Sequence, residues 1–238
     1  MLKRILTVAL VAGALAGIGI SVVQEFTTTP IILHAEEFET ASHKAAYGGS
    51  GRFGARLILA DSGHGHADDE AWAPADGIER TLYTTVANVI SGVGFGLILA
   101  AAFALYGGPV DGRRGVIWGM AGFAVFTLAP GLGLPPEVPG AMAADLAARQ
   151  MWWLGCVGAT ALGLGLMVFG RGWTWVLAGM LALVLPHAIG APQPAEIGGA
   201  VPPELAGHFA AASLVTSAIF WAMLGWLGGT MEKRLEAA

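Results

Sequence analysis

The chain has 238 residues, of which 55% are hydrophobic and only 12% are charged, whereas soluble domains have about 45–50% and about 25%. This composition excludes an ordinary soluble protein and indicates a membrane protein. The net charge of −5 excludes a strong nucleic-acid-binding surface, because a phosphate backbone requires a basic patch. The single cysteine, Cys156, precludes an intramolecular disulfide and a cysteine-based zinc cluster.

Six mostly apolar runs, each close to the roughly 20 residues that span a bilayer, predict transmembrane helices. They cover residues 5–26, 82–106, 114–132, 151–170, 172–190 and 209–230. The fourth and fifth runs almost touch at GRGW (170–173), which predicts a tight turn between antiparallel helices. Lys3 and Arg4 before the first run also resemble the start of a signal peptide. We expect this run to be retained, because it continues through Val23 and takes part in the repeat described below.

GxxxG spacings occur in four of the apolar runs. They are Gly13/Gly17, Gly92/Gly96, Gly115/Gly119 and Gly225/Gly229. Each spacing allows two helices to cross closely in lipid. Glycine is so abundant in this sequence that the spacing also arises by chance, and we interpret the set as packing only.

The basic residues predict the orientation of the chain, because Lys and Arg are enriched in cytoplasmic segments. Short segments at one set of helix ends carry Lys3, Arg4, Arg113, Arg114, Arg171, Lys233 and Arg234. The opposite ends carry Lys44, Arg52, Arg56, Arg80 and Arg149, and three of these lie in a long loop, where charge has little influence. We therefore predict that both termini are cytoplasmic and that the polar loops lie on the outer side.

The first outer loop, residues 31–78, is rich in His, Asp and Glu. Its densest stretch, GHGHADDE (63–70), contains His64, His66, Asp68 and Asp69. A mixture of imidazole and carboxylate favours a borderline divalent metal ion without selecting one. The glycines in this stretch make it costly to order, so a weak metal chelator and a plain solvated loop both stay open.

Ionisable residues near the predicted membrane boundary form a second candidate site, because such groups are costly at depth and often functional. Glu25 ends the first apolar run and His187 ends the fifth. Both are predicted to face the outer half of the bundle, where they would pair or share a cation. Anchoring at the membrane interface is the alternative. Further polar residues in or beside the apolar runs are Gln24, Asn88, Ser91 and Thr127.

An internal repeat organises the outer loops. Three times, an apolar helix leads into a proline, a polar loop and then an acidic residue with a basic residue four positions later. The pairs are Asp76/Arg80, Asp145/Arg149 and Glu204/His208. They either stabilise three helix starts or converge at the outer face.

We therefore predict an all-α integral membrane protein, with a single membrane domain over residues 1–238. About six transmembrane helices would form three repeated helical hairpins with outer-face loops, at about 5–106, 114–170 and 172–230.

Enzymatic motifs are missing from the sequence: it has no GxxxxGK[ST] phosphate loop and no HExxH, GxSxG or CxxC motif. We therefore expect neither ATP hydrolysis nor covalent catalysis, and no permanently bound cofactor. A membrane enzyme acting on lipid or quinone would have only His187 and His208 as histidine bases near the outer face.

Five stretches carry a more specific signal. They are VQEFTTTPIILHAEEFE (23–39), AWAPADGIERTLYTTVANVISGVGF (71–95), FTLAPGLGLPPEVPG (126–140), DLAARQMWW (145–153) and LPHAIGAPQP (185–194). Together they resemble the predicted cobalt transporter subunit family called CbtA, over nearly the whole chain. The family's motif positions correspond here to Gln24, Glu25, His34, Glu36, Arg80, Pro130, Arg149, His187 and Pro192.

The resemblance implies a protein of the bacterial cytoplasmic membrane that is linked to cobalt uptake for cobalamin synthesis. It also implies a small one-helix partner, CbtB, with a His-rich terminus. The family is usually described with five membrane segments, one fewer than the six apolar runs.

We predict from these observations a transporter of Co²⁺ or a similar divalent cation. In this hypothesis the outer loop collects the ion, and Glu25, His34, Glu36 and His187 pass it to a path between the hairpins. The expected partners are the CbtB-like subunit and the lipid bilayer, with no nucleic acid, and a homo-oligomer is left open. The alternative is a non-transporting metal-binding or assembly subunit.

Overall fold

A computed structural model describes residues 2–48, 74–195 and 198–236. Within these ranges the regular elements are helices, which confirms the predicted all-α class. They are α1 (Leu2–Phe26), α2 (Thr28–Gly48), α3 (Ile78–Tyr106), α4 (Gly112–Phe123), α5 (Ala129–Gly133), α6 (Leu146–Phe169), α7 (Trp173–Ile189) and α8 (Pro203–Glu236), with a π-helical turn, Ala124–Leu128, between α4 and α5. The predicted chelating residues His64, His66, Asp68 and Asp69 lie outside the described residues.

Five helical segments in the described part of the chain are long and apolar enough to cross a membrane. They are α1, α3, the continuous segment Gly112–Gly133, α6 and α8. The fifth predicted run also forms a helix, α7, but its 17 residues give a length of only about 25 Å. The hydrocarbon core of a bilayer is about 30 Å thick, so α7 is the one predicted helix that is short for a span.

The four GxxxG spacings form two helix crossings. In the first, α1 packs against α3, and a Cβ atom added to Gly13 would lie 2.5 Å from the carbonyl oxygen of Gly92. In the second, α4 packs against α8, and a Cβ atom on Gly115 or on Gly225 would collide with the carbonyl oxygen of the other. Only glycine allows these backbones to touch, so the spacings determine which helices pair.

The core lies where these two helix pairs meet. Its buried side chains come from α1, α3, α4 and α8 and from the α3–α4 loop, and they are Ala12, Ala16, Leu99, Phe103, Val110, Phe123, Trp221 and Leu224. The loop ends at Asp111, whose carboxylate accepts a hydrogen bond from the backbone N–H of Arg114 at 2.9 Å and so caps α4. This hydrogen bond lowers the pKa of the Asp111 carboxyl.

The observed helix pairing differs from three repeated hairpins. The first predicted hairpin is present as the α1–α3 pair, but α4 packs mainly on α8, and α6 packs on α7. Helix α6 meets the α4–α8 pair through α5 and the π-helical turn, which continue from α4. The predicted repeat does not set the helix pairing, which follows the positions of the small residues.

The turn between α6 and α7 is as tight as the sequence predicts. Helix α6 ends at Phe169, and the next residue, Gly170, donates its backbone N–H to Leu166 O at 2.9 Å. Gly172 has a φ of +94°, a left-handed conformation that favours glycine. At the other end of this helix pair, Trp152 Nε1 donates to Pro186 O at 3.2 Å. The two helices are therefore antiparallel and in contact along most of their length.

The ends of the described chain lie together. Arg4 Nη2, near the start of α1, is 2.9 Å from Glu232 Oε1, near the end of α8. The Glu232 side chain is only 7% exposed, and a buried carboxylate requires a partner of opposite charge. The N-terminal and C-terminal ends of the bundle therefore share one face.

The α4–α8 crossing generates a stability prediction. In Gly225→Ala, the new methyl group would lie 2.9 Å from the carbonyl carbon of Gly115 and 3.0 Å from Gly119 Cα, so the helices must move apart. We expect a loss of about 1–3 kcal/mol, measured as a lower Tm of the detergent-purified protein. The matched control is Gly155→Ala in α6, where an added Cβ meets nothing within 4 Å. Equal Tm values for the two variants would contradict the backbone-contact interpretation.

Candidate cation-binding site

Arg80 joins α2 to the start of α3 at the end of the bundle opposite the two termini. Its Nη1 and Nη2 atoms each donate to one Glu36 carboxylate oxygen at 2.9 Å. Its Nε atom lies 3.1 Å from Asp76 Oδ1, in an ion pair that lacks hydrogen-bond alignment. This two-pronged contact with Glu36 is the strong form of an Arg–carboxylate pair, so Arg80 neutralises the carboxylate that was predicted to bind a metal.

Glu25 and His34 each contact a neighbour other than the predicted metal ligands. Glu25 Oε1 accepts a hydrogen bond from Thr81 Oγ1 at 2.8 Å. The imidazole of His34 packs against the Phe38 ring one turn later in α2, with ring centroids 5.3 Å apart.

A polar contact crosses the α1–α3 glycine interface. Asn88 Nδ2 donates to Ser21 Oγ at 3.0 Å and to Gln24 Oε1 at 2.6 Å. Ser21 is buried, and its hydroxyl donates to Gly17 O at 2.9 Å. One turn beyond Gln24, the Thr27 and Thr216 hydroxyl oxygens lie 3.3 Å apart, which links α1 to α8. These groups satisfy one another inside an apolar bundle.

His187 belongs to a different cluster, on the α6–α7 pair. Its ring contacts Trp152 edge-to-face, with centroids 5.8 Å apart. No hydrogen bond or ion pair joins His187 to Glu25 among the described residues. The two groups expected to share a cation are thus held by different helix pairs.

Of the three predicted acid–base pairs, only Asp76 and Arg80 form a side-chain ion pair in the described part of the chain. The Asp145 carboxylate instead caps α6 by accepting from Ala148 N–H at 2.9 Å. The Arg149 guanidinium reaches Glu137 in the preceding loop, with Nη2 and Oε2 2.8 Å apart.

Glu204, in the first turn of α8, makes no ion pair with His208 within the described ranges. Of the three acidic residues, Asp145 alone caps a helix in the described part of the chain, and no hydrogen bond or ion pair there links one predicted pair to another.

Within the described ranges, no three His, Cys, Asp or Glu side chains lie close enough together to hold a metal ion. A preformed ligand set made of Glu25, His34, Glu36 and His187 is therefore not present in this part of the structure. The metal-binding roles of these residues stay predictions that depend on movement, on a partner, or on residues outside the described ranges.

The chain matches the family described as "Probable cobalt transporter subunit (CbtA)" over residues 2–233. The chain belongs to the CbtA family. No curated protein and no solved structure matches the chain. Family membership and the long apolar helices together identify this CbtA-family chain as a membrane protein.

A polar cavity in the CbtA-family chain includes residues that were not singled out from the sequence. Thr216 and Ser217 of α8 line it together with Gln24, Asn88 and Ser91. The only sequence signal for the α8 residues is a pair of hydroxyl side chains within a long apolar run. Gln24, Asn88 and Ser91 were recognised as polar residues at membrane depth, but the sequence does not indicate that they face α8.

The Glu36–Arg80 contact predicts how firmly α2 is held in place. Glu36→Gln removes the charge on one side of this partly exposed pair, and we expect a local destabilisation of about 1 kcal/mol. Backbone amides of α2 should then exchange about fivefold faster in hydrogen-exchange mass spectrometry. Glu37→Gln is the matched control, because Glu37 is exposed. Unchanged exchange in Glu36→Gln would show that the ion pair does not hold α2.

Proposed function

We propose that this CbtA-family chain transports Co²⁺ or a similar divalent cation inward across the bacterial cytoplasmic membrane, for use in cobalamin synthesis. The supporting observation is the group of polar side chains between α1, α3 and α8, inside an apolar bundle packed by glycines. Polar groups at membrane depth are expensive, and in transport proteins they line the paths of substrates and ions. We assign the chain no enzymatic role.

Six membrane crossings agree better than five with the positions of the two ends of the described chain. Because Arg4 pairs with Glu232, α1 begins at the face where α8 ends. A chain that begins and ends at one face crosses the membrane an even number of times. Five spans do not meet this condition, so α7 supplies the sixth, with local thinning of the bilayer to match its length. We assign the shared face to the cytoplasm, because the basic segments lie at these helix ends.

The outer side is acidic where the proposed path begins. Glu36, Glu37 and Asp76 line an open cavity of about 620 Å³. Arg80 pairs with two of these carboxylates, and the group keeps a net negative charge, which raises the local cation concentration. Glu25 lies next along α1, followed inward by Gln24. The membrane potential would drive a divalent ion inward, since it supplies about 2.3 kcal/mol per charge per 100 mV, or about 4.6 kcal/mol for two charges.

A non-transporting metal-binding or assembly subunit is the second candidate function. The observation in its favour is that the polar lining ends at an aromatic cluster formed by Phe95, Phe126, Phe220 and Trp221. A larger cavity on the other side of Phe126 and Trp221, of about 530 Å³, has a mostly apolar lining. In the transport proposal this cluster is a closed hydrophobic gate.

A partner fits both candidates, because the family description calls its members subunits. We propose that the partner is the small His-rich single-helix protein that the family resemblance implies. Histidine supplies the ligand type that Co²⁺ favours, which the described residues do not assemble on their own.

Radiolabelled cobalt uptake tests the proposal in cells that lack their own cobalt importer. Four strains would be compared, with this chain alone, the partner alone, both or neither. We expect the highest uptake with both proteins. Uptake no greater than that of the empty strain in every combination would rule out transport and leave the assembly role.

Within that assay, Glu25→Gln tests the membrane-edge carboxylate. Glutamine keeps an oxygen that accepts the Thr81 hydrogen bond but removes the negative charge. We expect the initial uptake rate to fall about tenfold, which corresponds to a loss of about 1.4 kcal/mol. Glu79→Gln, at an exposed position in the first turn of α3, is the control and should retain most of the activity. Full uptake by Glu25→Gln at limiting cobalt would exclude Glu25 from the path.

A further inference from the structure

A small polar cavity lies between α1, α3 and α8 in the half of the bundle opposite the termini. Its volume is about 160 Å³, and Gln24, Asn88, Ser91, Thr216 and Ser217 supply its polar lining. One water molecule occupies about 30 Å³ of liquid, so the cavity has room for about five waters. Cavities with several polar partners are hydrated, whereas empty ones are apolar.

The cavity lies in the outer part of the membrane-spanning helices, where Gln24 stands two residues before the end of α1. Asn88 follows the start of α3 by about ten residues, or about 15 Å. Thr216 follows the start of α8 by about 13 residues, or about 20 Å. Hydroxyl groups at this depth that lack a protein partner require a polar occupant of the cavity.

The polar groups divide into a fixed set and an available set. Asn88 is fixed by its hydrogen bonds to Ser21 and Gln24 across the α1–α3 interface, and Thr216 is held beside Thr27. The hydroxyl groups of Ser91 and Ser217 have no hydrogen-bond partner among the described residues. Beside the amides of α1 and α3, the cavity thus has two hydroxyl groups that are available to a ligand, Ser91 at an exposed position and Ser217 half-buried.

Aromatic rings close the inner end of the cavity. Phe95 and Phe220 line it directly, and behind them Phe126 stacks on Trp221 with centroids 5.6 Å apart and planes at 9°. Phe126 belongs to the π-helical turn Ala124–Leu128, an arrangement common at functional sites in helices. The cavity is therefore closed toward the termini, and its volume limits it to a small occupant.

We propose that this cavity is the membrane-level binding site for the transported divalent cation, which enters with part of its hydration shell. This inference rests on the proposed transport function. Neutral amide and hydroxyl oxygens would replace some of the ion's waters, as oxygen ligands do for hard and borderline cations. Glu25 on the adjacent turn supplies a nearby negative charge. A site of mostly neutral ligands binds weakly, which allows the ion to leave again.

Cysteine accessibility tests this site without requiring transport. Ser217→Cys is made in a Cys156→Ala background, so that the introduced thiol is the only one. Right-side-out membrane vesicles are treated with a membrane-impermeant, positively charged methanethiosulfonate reagent. We expect Ser217→Cys to react and saturating Co²⁺ to slow the reaction at least tenfold. Ser91→Cys, on the opposite wall, is the second variant and should behave in the same way.

Gln193→Cys, in the α7–α8 loop, is the matched control because this position is exposed. It should react at a rate that Co²⁺ does not change. If neither cavity variant reacts while the control does, the cavity is dry and the proposal is wrong. If both cavity variants react equally with and without Co²⁺, the cavity is hydrated but is not a cation site, and the proposal is again wrong. If Co²⁺ slows the thiol reaction but the chain fails the cellular uptake assay, the binding site stands and only the transport function is overturned.

Discussion

Direct backbone contact between glycines is the interaction on which the rest of this bundle depends. Inside a bilayer, apolar side chains gain little by leaving lipid for protein, so helices associate through close packing and hydrogen bonds. The reciprocal contacts of Gly115 and Gly225, and of Gly13 and Gly92, bring helix backbones together with no side chain between them. Two helix pairs formed in this way meet at Trp221 and Leu224 to make the core.

The polar cavity is a consequence of the same packing. A Cβ atom on Gly17 would lie 2.6 Å from the carbonyl oxygen of Asn88, so Asn88 approaches α1 closely enough to bond Ser21 and Gln24. Farther along the same helices, Gly96 packs on Ala9. The α1–α3 backbones are therefore in contact along both helices, and the polar groups near their outer ends meet α8. The polar cavity thus lies in the half of the bundle opposite the termini.

The sequence predicted the helices well because apolar length and glycine spacing are local properties. It predicted all six apolar runs as helices and the tight α6–α7 turn, and its GxxxG pairs form the two main crossings. It did not predict that α4 would pack on α8, because partner choice depends on how distant glycines fit together.

The candidate site shows the same division between local and distant contacts. The i,i+4 spacing correctly predicts the ion pair between Asp76 and Arg80. It does not reveal that Glu36 accepts hydrogen bonds from both Nη atoms of the same guanidinium. Asp145 and Arg149 fit the same i,i+4 rule, yet Asp145 caps its helix and Arg149 binds Glu137. An acidic residue at a helix start has backbone N–H groups available as an alternative partner, so the spacing alone did not identify the contact.

Voltage-driven Co²⁺ influx into proteoliposomes tests most directly whether this chain forms the path of the ion. The purified chain would be reconstituted with its partner subunit, and a potassium diffusion gradient with valinomycin would set an inside-negative potential. We predict that initial influx rises as the potential becomes more negative and that vesicles with the partner alone show only background influx. If influx equalled that of vesicles lacking the chain at every potential, this prediction would be contradicted.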